Sequence, residues 1–299
     1  MIVQTGAAED VIAGGVESMS NVVYYSTDMR RGTRLGSTTI HDRLAHGRVM
    51  SQPIARFGEI SGMIETANKL ASDYGISRDE CDRYAVMSHQ RATAAWTAGN
   101  FDDELVPVPV PQMRGAPIVF AKDEGIRSDV SMESLAGLPP LERGGVVTVG
   151  NASQQNDAAA ACLVVAEDVL AELDLQPMVW FVGWAAAGCE ASRMGIGPVP
   201  AVRRLFTRCK LGWDDIDLVE LNEAFAPQVL AVLKGWGWSD RDRLNVYGSG
   251  LSLGHPIGAT GGRILATLAR ELRRCGGRFG LETMCIGGRQ GIAAIFERV

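Results

Sequence analysis

An α/β fold is what this chain's sequence predicts, on three observations. Strand-like and helix-like periodicities alternate along residues 178–299, the pattern that lays helices on the faces of a sheet. Glycine is abundant, 35 residues of 299, with no three-residue period, so it signals close backbone approaches and not a collagen-like repeat. Hydrophobic residues make up 46% and charged residues 21%, which excludes a disordered chain and supplies a sizeable core. At about 150 residues per domain, the length suggests two domains.

The elements follow in order. Glu9–Glu17 reads as a strand running into a glycine turn. Met63, Ala67, Leu70, Ala71 and Tyr74 form a helical stripe. Ser77, with Glu80 three residues on, is a capping box that opens the next helix, and Gly99 can close it. Val106–Pro140 is rich in loops and proline. Gly145–Gly150 and Ala161–Ala166 read as strands, with a helix near Asp168–Leu173. Met178–Trp184 is a strand, after which Val202, Leu205, Phe206 and Cys209 fall on one helix face. Ile216–Leu221 is a strand, and Val229, Leu230, Leu233 and Trp236 mark a helix. Leu244–Tyr247 is a short strand. Ile264, Leu265, Leu268 and Leu272 stripe a long helix that Gly276-Gly277 can stop. Phe279–Cys285 and Gly291–Glu297 are the last strands. This order predicts a mostly parallel sheet with helices on its faces. Residues 1–30 with 141–176 look like the tail of a similar unit, as in an internal repeat whose first copy lacks its front.

Several function classes are set aside by composition. The longest purely apolar run, Ala158–Ala166, is far short of the roughly 20 residues a membrane-spanning helix needs. The N-terminus shows no basic region followed by a long apolar one, so no secretory signal is expected. The six cysteines form no CxxC pair and no zinc-spaced cluster with histidine, so they read as reduced thiols of a cytoplasmic protein with no metal. A net charge of −6 argues against a nucleic-acid partner. Residues 30–56 run against that balance: Arg30, Arg31, Arg34, Arg43, Arg48 and Arg56 face a single acid, Asp42. Such a patch suits phosphate groups, or equally a solvated or oligomer-contact face.

Three segments carry chemistry. Asn222-Glu223-Ala224-Phe225-Ala226 follows a strand directly, where open α/β sheets place ligand sites. The competing reading is an N-cap Asn with Glu in the first helical turn. The glycine-dense loop Gly248–Gly261 holds His255, which a helix start keeps neutral and able to accept a proton or bond an oxyanion. A phosphate loop or a tight turn with a structural His competes, although the spacing fits no phosphate-loop or dinucleotide fingerprint. In Cys285-Ile286-Gly287-Gly288-Arg289, Cys285 ends a strand and the glycines open backbone N–H groups to a ligand, as an oxyanion hole requires. Cys285 can then act as acid and base, against the alternative of a buried Cys before a turn.

Taken together, ELNEAFA, GLSLGHPIGATGGRIL and ETMCIGGRQG closely resemble the C-terminal half of the thiolases, the acetyl-CoA and 3-ketoacyl-CoA acyltransferases. VIAGGVESMS (Val11–Ser20), SGMIETANKLA (Ser61–Ala71), SRDECD (Ser77–Asp82) and TVGNASQQNDAAAA (Thr148–Ala161) extend the likeness over essentially the whole chain. The Asn-Glu-Ala-Phe form is similar to true thiolases and unlike the sterol-carrier branch. The resemblance implies a duplicated α/β/α sandwich with an inserted loop domain and an incomplete first repeat. Residues 1–30 and 141–176 would be the remnant of the N-terminal half, 31–140 the loop domain that clasps coenzyme A, and 177–299 the complete C-terminal half. It implies acyl-CoA thioesters as substrates, no cofactor, no membrane partner, and a homodimer or homotetramer.

Roles follow from the same resemblance. His255 matches the histidine that activates the nucleophilic cysteine and shares an oxyanion hole with a water held by Asn222. Cys285 matches the cysteine that moves the proton on and off the acyl α-carbon, and Gly287 a backbone donor of a second oxyanion hole. Ser153 and Met63 match positions lining the pantetheine tunnel, with Ala224 and Phe225 beside it. The activity implied is Claisen condensation of acyl-CoAs, or its thiolytic reverse. Some positions depart from the family. Its acyl-carrying cysteine lies upstream of VIAGGVESMS, and no cysteine here precedes Cys81, whose expected role is packing. The expectation is therefore a truncated form with impaired or no activity alone, or else a non-catalytic coenzyme A- or partner-binding homologue. Strand Asp10–Gly14 would then keep an open edge and an uncovered face. Gly62 replaces a histidine of some relatives, Tyr247-Gly248-Ser249 departs from Asn-Gly-Gly, and Arg289 is bulky where a small residue is common.

Overall fold

The computed structural model describes residues 1–47, 53–58 and 61–299. The chain begins with strand β1 (Asp10–Ser18), then a two-residue antiparallel pair, β2 (Tyr24–Tyr25) and β3 (His41–Asp42), and the short helices α1 (Arg43–His46) and α2 (Ile54–Phe57). Helices α3 (Met63–Asp73) and α4 (Arg78–Thr97) come next, then the hairpin β4 (Val108–Val110) and β5 (Ile118–Phe120), helix α5 (Met132–Ala136) and strand β6 (Asp157–Val165). The second half runs β7 (Val179–Gly188), α6 (Pro198–Cys209), β8 (Leu218–Leu221), α7 (Ala226–Trp236), α8 (Gly250–Leu253), α9 (Thr260–Cys275), β9 (Phe279–Ile286) and β10 (Gln290–Arg298).

The caps form where the sequence places them. Ser77 Oγ accepts the Glu80 N–H while Glu80 reaches back to the Ser77 N–H at 2.8 Å, and Gly99 closes α4 at φ 72°. Gly276, at φ 75°, stops α9. Four expectations give way. The second-half sheet is ordered β7–β10–β9–β8, with only β8 and β9 parallel, so it is not mostly parallel. The cause is the tight Gly287–Arg289 turn, which forces β10 back alongside β9 and seats it between β9 and β7. Gly145–Gly150 is no strand, because Asn68 Oδ1 accepts the Val146 and Val147 N–H groups that a ladder would need. Asp168–Leu173 is not a helix but turns that include a single 3-10 turn, Glu167–Val169. Leu244–Tyr247 shrinks to a single bridge beside β8, Leu244 to Val219, because Asn245 turns left-handed at φ 44°.

Strand periodicity sorts side chains into layers. Val219, Ala293 and Ile295 face α6 and α7, while Leu218, Ala294 and Phe296 face Leu268 and Leu272 of α9. Helix α7 is buried along Ala226–Leu233 and packs against α3 and α4. Each fully buried leucine, such as Leu70, Leu205 or Leu272, contributes about 1.5–3 kcal/mol. The other side of α9 carries the antiparallel pair β1–β6. A Cβ on Gly15 would lie 1.8 Å from the Gly258 carbonyl oxygen, so only glycine lets β1 reach the loop before α9. The opposite face of this pair leaves Ile12 79% and Val16 72% exposed, with Leu163 beside Ile12. At the far end of α7, Trp213 stacks on Trp238 with ring centroids 4.8 Å apart, and Trp236 lies 5.0 Å from Trp213. Among the described residues no helix is long and apolar enough to cross a membrane.

Candidate active site

Strand β8 delivers its next residue, Asn222, to the site. The Asn222 N–H donates to the Thr283 carbonyl at 3.1 Å, which fixes it beside β9 two residues before Cys285. Its side chain is fully buried, yet neither Oδ1 nor Nδ2 has a hydrogen-bond partner among the described residues. A buried amide left open at both ends is rare and marks a place for a ligand or water. The N-cap reading fails, because the cap of α7 is Phe225. Glu223 has another task. Its carboxylate accepts from Tyr84 Oη (2.8 Å), Ser88 Oγ (2.7 Å), Asn245 Nδ2 (2.9 Å) and the Leu251 N–H (3.3 Å), tying α4 and α8 to the end of β8.

His255 stands in the loop between α8 and α9, its Nδ1 2.7 Å from Thr260 Oγ1. Thr260 donates its own hydroxyl proton to the Pro256 carbonyl at 2.9 Å. The Nδ1 must therefore be the donor to Thr260, which leaves the lone pair on Nε2. Burial first, and the nearby Arg263 charge second, hold the imidazole down to about 4, so it is neutral at pH 7.

Cys285, 8% exposed, lies near the end of β9, opposite Gly291 of β10. Gly287 is exposed on the following turn, where Gly288 (φ 72°) and Arg289 (φ 87°) are left-handed. Arg289 thus occupies a conformation that glycine adopts without strain. Cys285 shares one small cavity with Met63, Thr66, Ala67 and Leu70 of α3, Gly195, Ala224, Phe225 and Gln228. Ser153 joins through its N–H, which donates to the Ala224 carbonyl at 2.9 Å, while Ala152 bridges to Phe225.

The structure therefore gathers Cys285, Met63, Ala224 and Phe225 around one cavity, with Ser153 bonded to its wall and Asn222 two residues before Ala224, bonded to β9. His255 and Gly287 are not among the lining residues. As site residues, sequence reasoning missed Thr66, Ala67, Leu70, Gly195 and Gln228. Only Gln228 left a signal, as the lone amide in the apolar run AFAPQVLAVL. Gly62 caps α3, its N–H held by Glu65. Cys81 lies in the main core, where burial pushes its thiol up to about 12, so it is inert packing. Arg30, Arg31, Arg34, Arg43 and Arg56 are exposed, and Arg48 lies outside the described residues. Among the described residues no group of three or more His, Cys, Asp or Glu could hold a metal.

Comparison with known proteins gives consistent results. The family profile described as thiolase, N-terminal domain, matches residues 1–168, and that for the thiolase C-terminal domain matches residues 175–298. An acetyl-CoA acetyltransferase of Chromobacterium violaceum is 45% identical over 296 residues, covering 98% of this chain and 74% of that protein. The human mitochondrial 3-ketoacyl-CoA thiolase is 42% identical, covering 97% of this chain and 72% of its own length. The crystal structure of the Bacillus anthracis acetyl-CoA acetyltransferase superposes on the whole chain, and on 74% of its own, with a TM-score of 0.94. A structure of the human enzyme in complex with CoA gives 0.92, covering all of this chain and 73% of its own. Motifs, layers and relatives agree, and the chain belongs to the thiolase family.

Proposed function

We propose that this protein is a thiolase-type acyl-CoA C-acyltransferase, and that these residues carry its α-proton chemistry. The observation that supports it most is the buried Asn222 amide, open at both ends, beside the β9 strand that delivers Cys285 into an apolar cavity. In this reading a thioester enters along Met63, Ser153, Ala224 and Phe225. Asn222, through a water, and His255, once its Nε2 has taken the proton of a thiol that ionises in the site, stabilise the thioester oxyanion. That makes the α-carbon acidic, and the Cys285 thiolate removes its proton. The resulting carbanion attacks the carbonyl carbon of a second acyl thioester, the carbon–carbon bond forming as that C–S bond breaks and its sulfur leaves as a thiol with the proton Cys285 had taken, and the reverse sequence is thiolysis. The Gly287 N–H serves the second oxyanion. The exposed arginines of 30–43 receive the coenzyme A phosphates, which match guanidinium forks. Assembly as a homodimer or homotetramer in the cytoplasm belongs to the same reading and rests on the family resemblance.

The decisive measurement is exchange of the acetyl-CoA methyl protons with D2O, followed by NMR, since it needs no acyl-enzyme. Exchange should depend on the protein, vanish in Cys285→Ala, and slow about 10²-fold in Asn222→Ala. Coenzyme A binding without exchange would leave a coenzyme A-binding homologue and overturn the proposal.

A further inference from the structure

We propose that Gln228 is a positioning residue for Cys285, its amide N–H group supplying the hydrogen bond that the sulfur accepts when ionised. The inference rests on the reading of Cys285 as the carrier of the α-proton. Gln228 is the third residue of α7 and 1% exposed. Its Oε1 accepts the Ala224 N–H at 3.2 Å, which fixes the sense of the amide. Its Nε2 has no partner among the described residues, and the residue lines the cavity that holds Cys285.

The rest of the cavity wall decides what that N–H can serve. Ala67, Leu70, Ala224 and Phe225 bring no polar side-chain atom, and the Thr66 hydroxyl donates to the Gly62 carbonyl. Among the described lining side chains the possible acceptors are the Thr66 hydroxyl, whose oxygen can still accept, and the sulfurs of Met63 and Cys285, and of these Cys285 is the one that can carry negative charge. The amide makes no direct bond to the sulfur as the site stands, and the cavity, about 10 Å³, has the room of a single water that can link the two. Gly195 is part of the arrangement: a Cβ there would come within 2.9 Å of Gln228 Cγ and Leu70 Cδ1. During proton abstraction the thiolate forms an S–H bond as the C–H bond breaks, and the electron pair passes into the thioester enolate. A bond from Gln228 favours the ionised sulfur before that step, and a bond to a charged group is roughly twice as strong as a neutral one.

The test is the pH dependence of Cys285 alkylation by iodoacetamide, read by peptide mass spectrometry so that the six cysteines are resolved. Gln228→Glu keeps an acceptor for the Ala224 N–H but puts negative charge where the donor stood. Gln228→Met keeps the stem and loses both ends. The midpoint for Cys285 should rise by about one pH unit in Gln228→Glu, a tenfold loss of thiolate at neutral pH, and by less in Gln228→Met. An unmoved midpoint in folded Gln228→Glu, or a shift in Gln228→Met alone, would overturn the inference. If neither variant folds, Gly195→Ala, which crowds the Gln228 stem, must raise the midpoint or the inference fails. Alkylation needs no turnover, so a shifted midpoint without proton exchange sinks the acyltransferase reading and with it the catalytic purpose given to Gln228, leaving only its hydrogen bond to the sulfur, and the converse sinks this inference alone.

Discussion

At the scale of single residues, the loop before α9 sets a protonation state by a chain of two hydrogen bonds. Pro256 accepts from Thr260, Thr260 accepts from His255, and Nε2 is left as the base. Thr260→Val removes the partner of Nδ1–H and frees the tautomer. We expect it to slow proton exchange at the thioester while leaving coenzyme A affinity, read by calorimetry, unchanged. Glu282 carries a different pH signature. Burial pushes its carboxyl up to about 8 despite the Arg263 charge, whereas an unfolded glutamate ionises near 4.5. Its contribution is full below pH 4.5 and is lost as pH rises towards 8. Glu220, raised by burial too, acts in the same sense. His255 and His89, both held near 4, act oppositely, losing their contribution as pH falls from 6.5 towards 4. Above pH 6.5 the histidines are neutral in both states and the acids dominate. Tm should therefore fall between pH 6.5 and 8, and Glu282→Gln should remove about 2 kcal/mol of that decline.

At the scale of elements, what periodicity could express was legible and what side chains override was not. The stripes of α3, α6, α7 and α9 and the strands β1, β7, β9 and β10 all stood in the sequence, because each buries one repeating face. Gly145–Gly150 looked like a strand because hydrophobic content says nothing of Asn68, 78 residues upstream, which takes its N–H groups. The sheet's direction was hidden for a similar reason: strand order depends on where β10 inserts, and only the turn Gly287–Arg289 dictates that. In the site, motif residues were legible as types at strand ends, whereas Gln228 and Gly195 act by packing and orientation that no spacing reveals. Two substitutions test the elements. Ser77→Ala, which removes half of the capping box of α4, should cost about 1 kcal/mol and roughly 2 °C in Tm. Gly15→Ala should be far worse and should detach β1 from the His255 loop, seen as lost amide protection along Asp10–Ser18, because its Cβ meets backbone that cannot retreat.

At the scale of the molecule, the layers are unequal. The four-stranded sheet is covered by α6 and α7 on one side and α9 on the other, whereas β1–β6 packs on α9 and the loop before it. An apolar face carrying Ile12 and Val16 in solvent favours self-association. Replacing both residues by lysine should lower light scattering without lowering Tm, since neither side chain is buried. The indole cluster at the far end of α7 has a separate consequence. Trp213 and Trp238 lie nearly parallel, 15° apart, with Trp236 tilted beside them, so their strong far-ultraviolet transitions should couple and give a dichroic couplet. Helix α7 carries Trp236 at one end and abuts the Ala224–Phe225 wall of the cavity at the other. Occupancy of the site can thus be followed optically, with no label, wherever it tilts that helix.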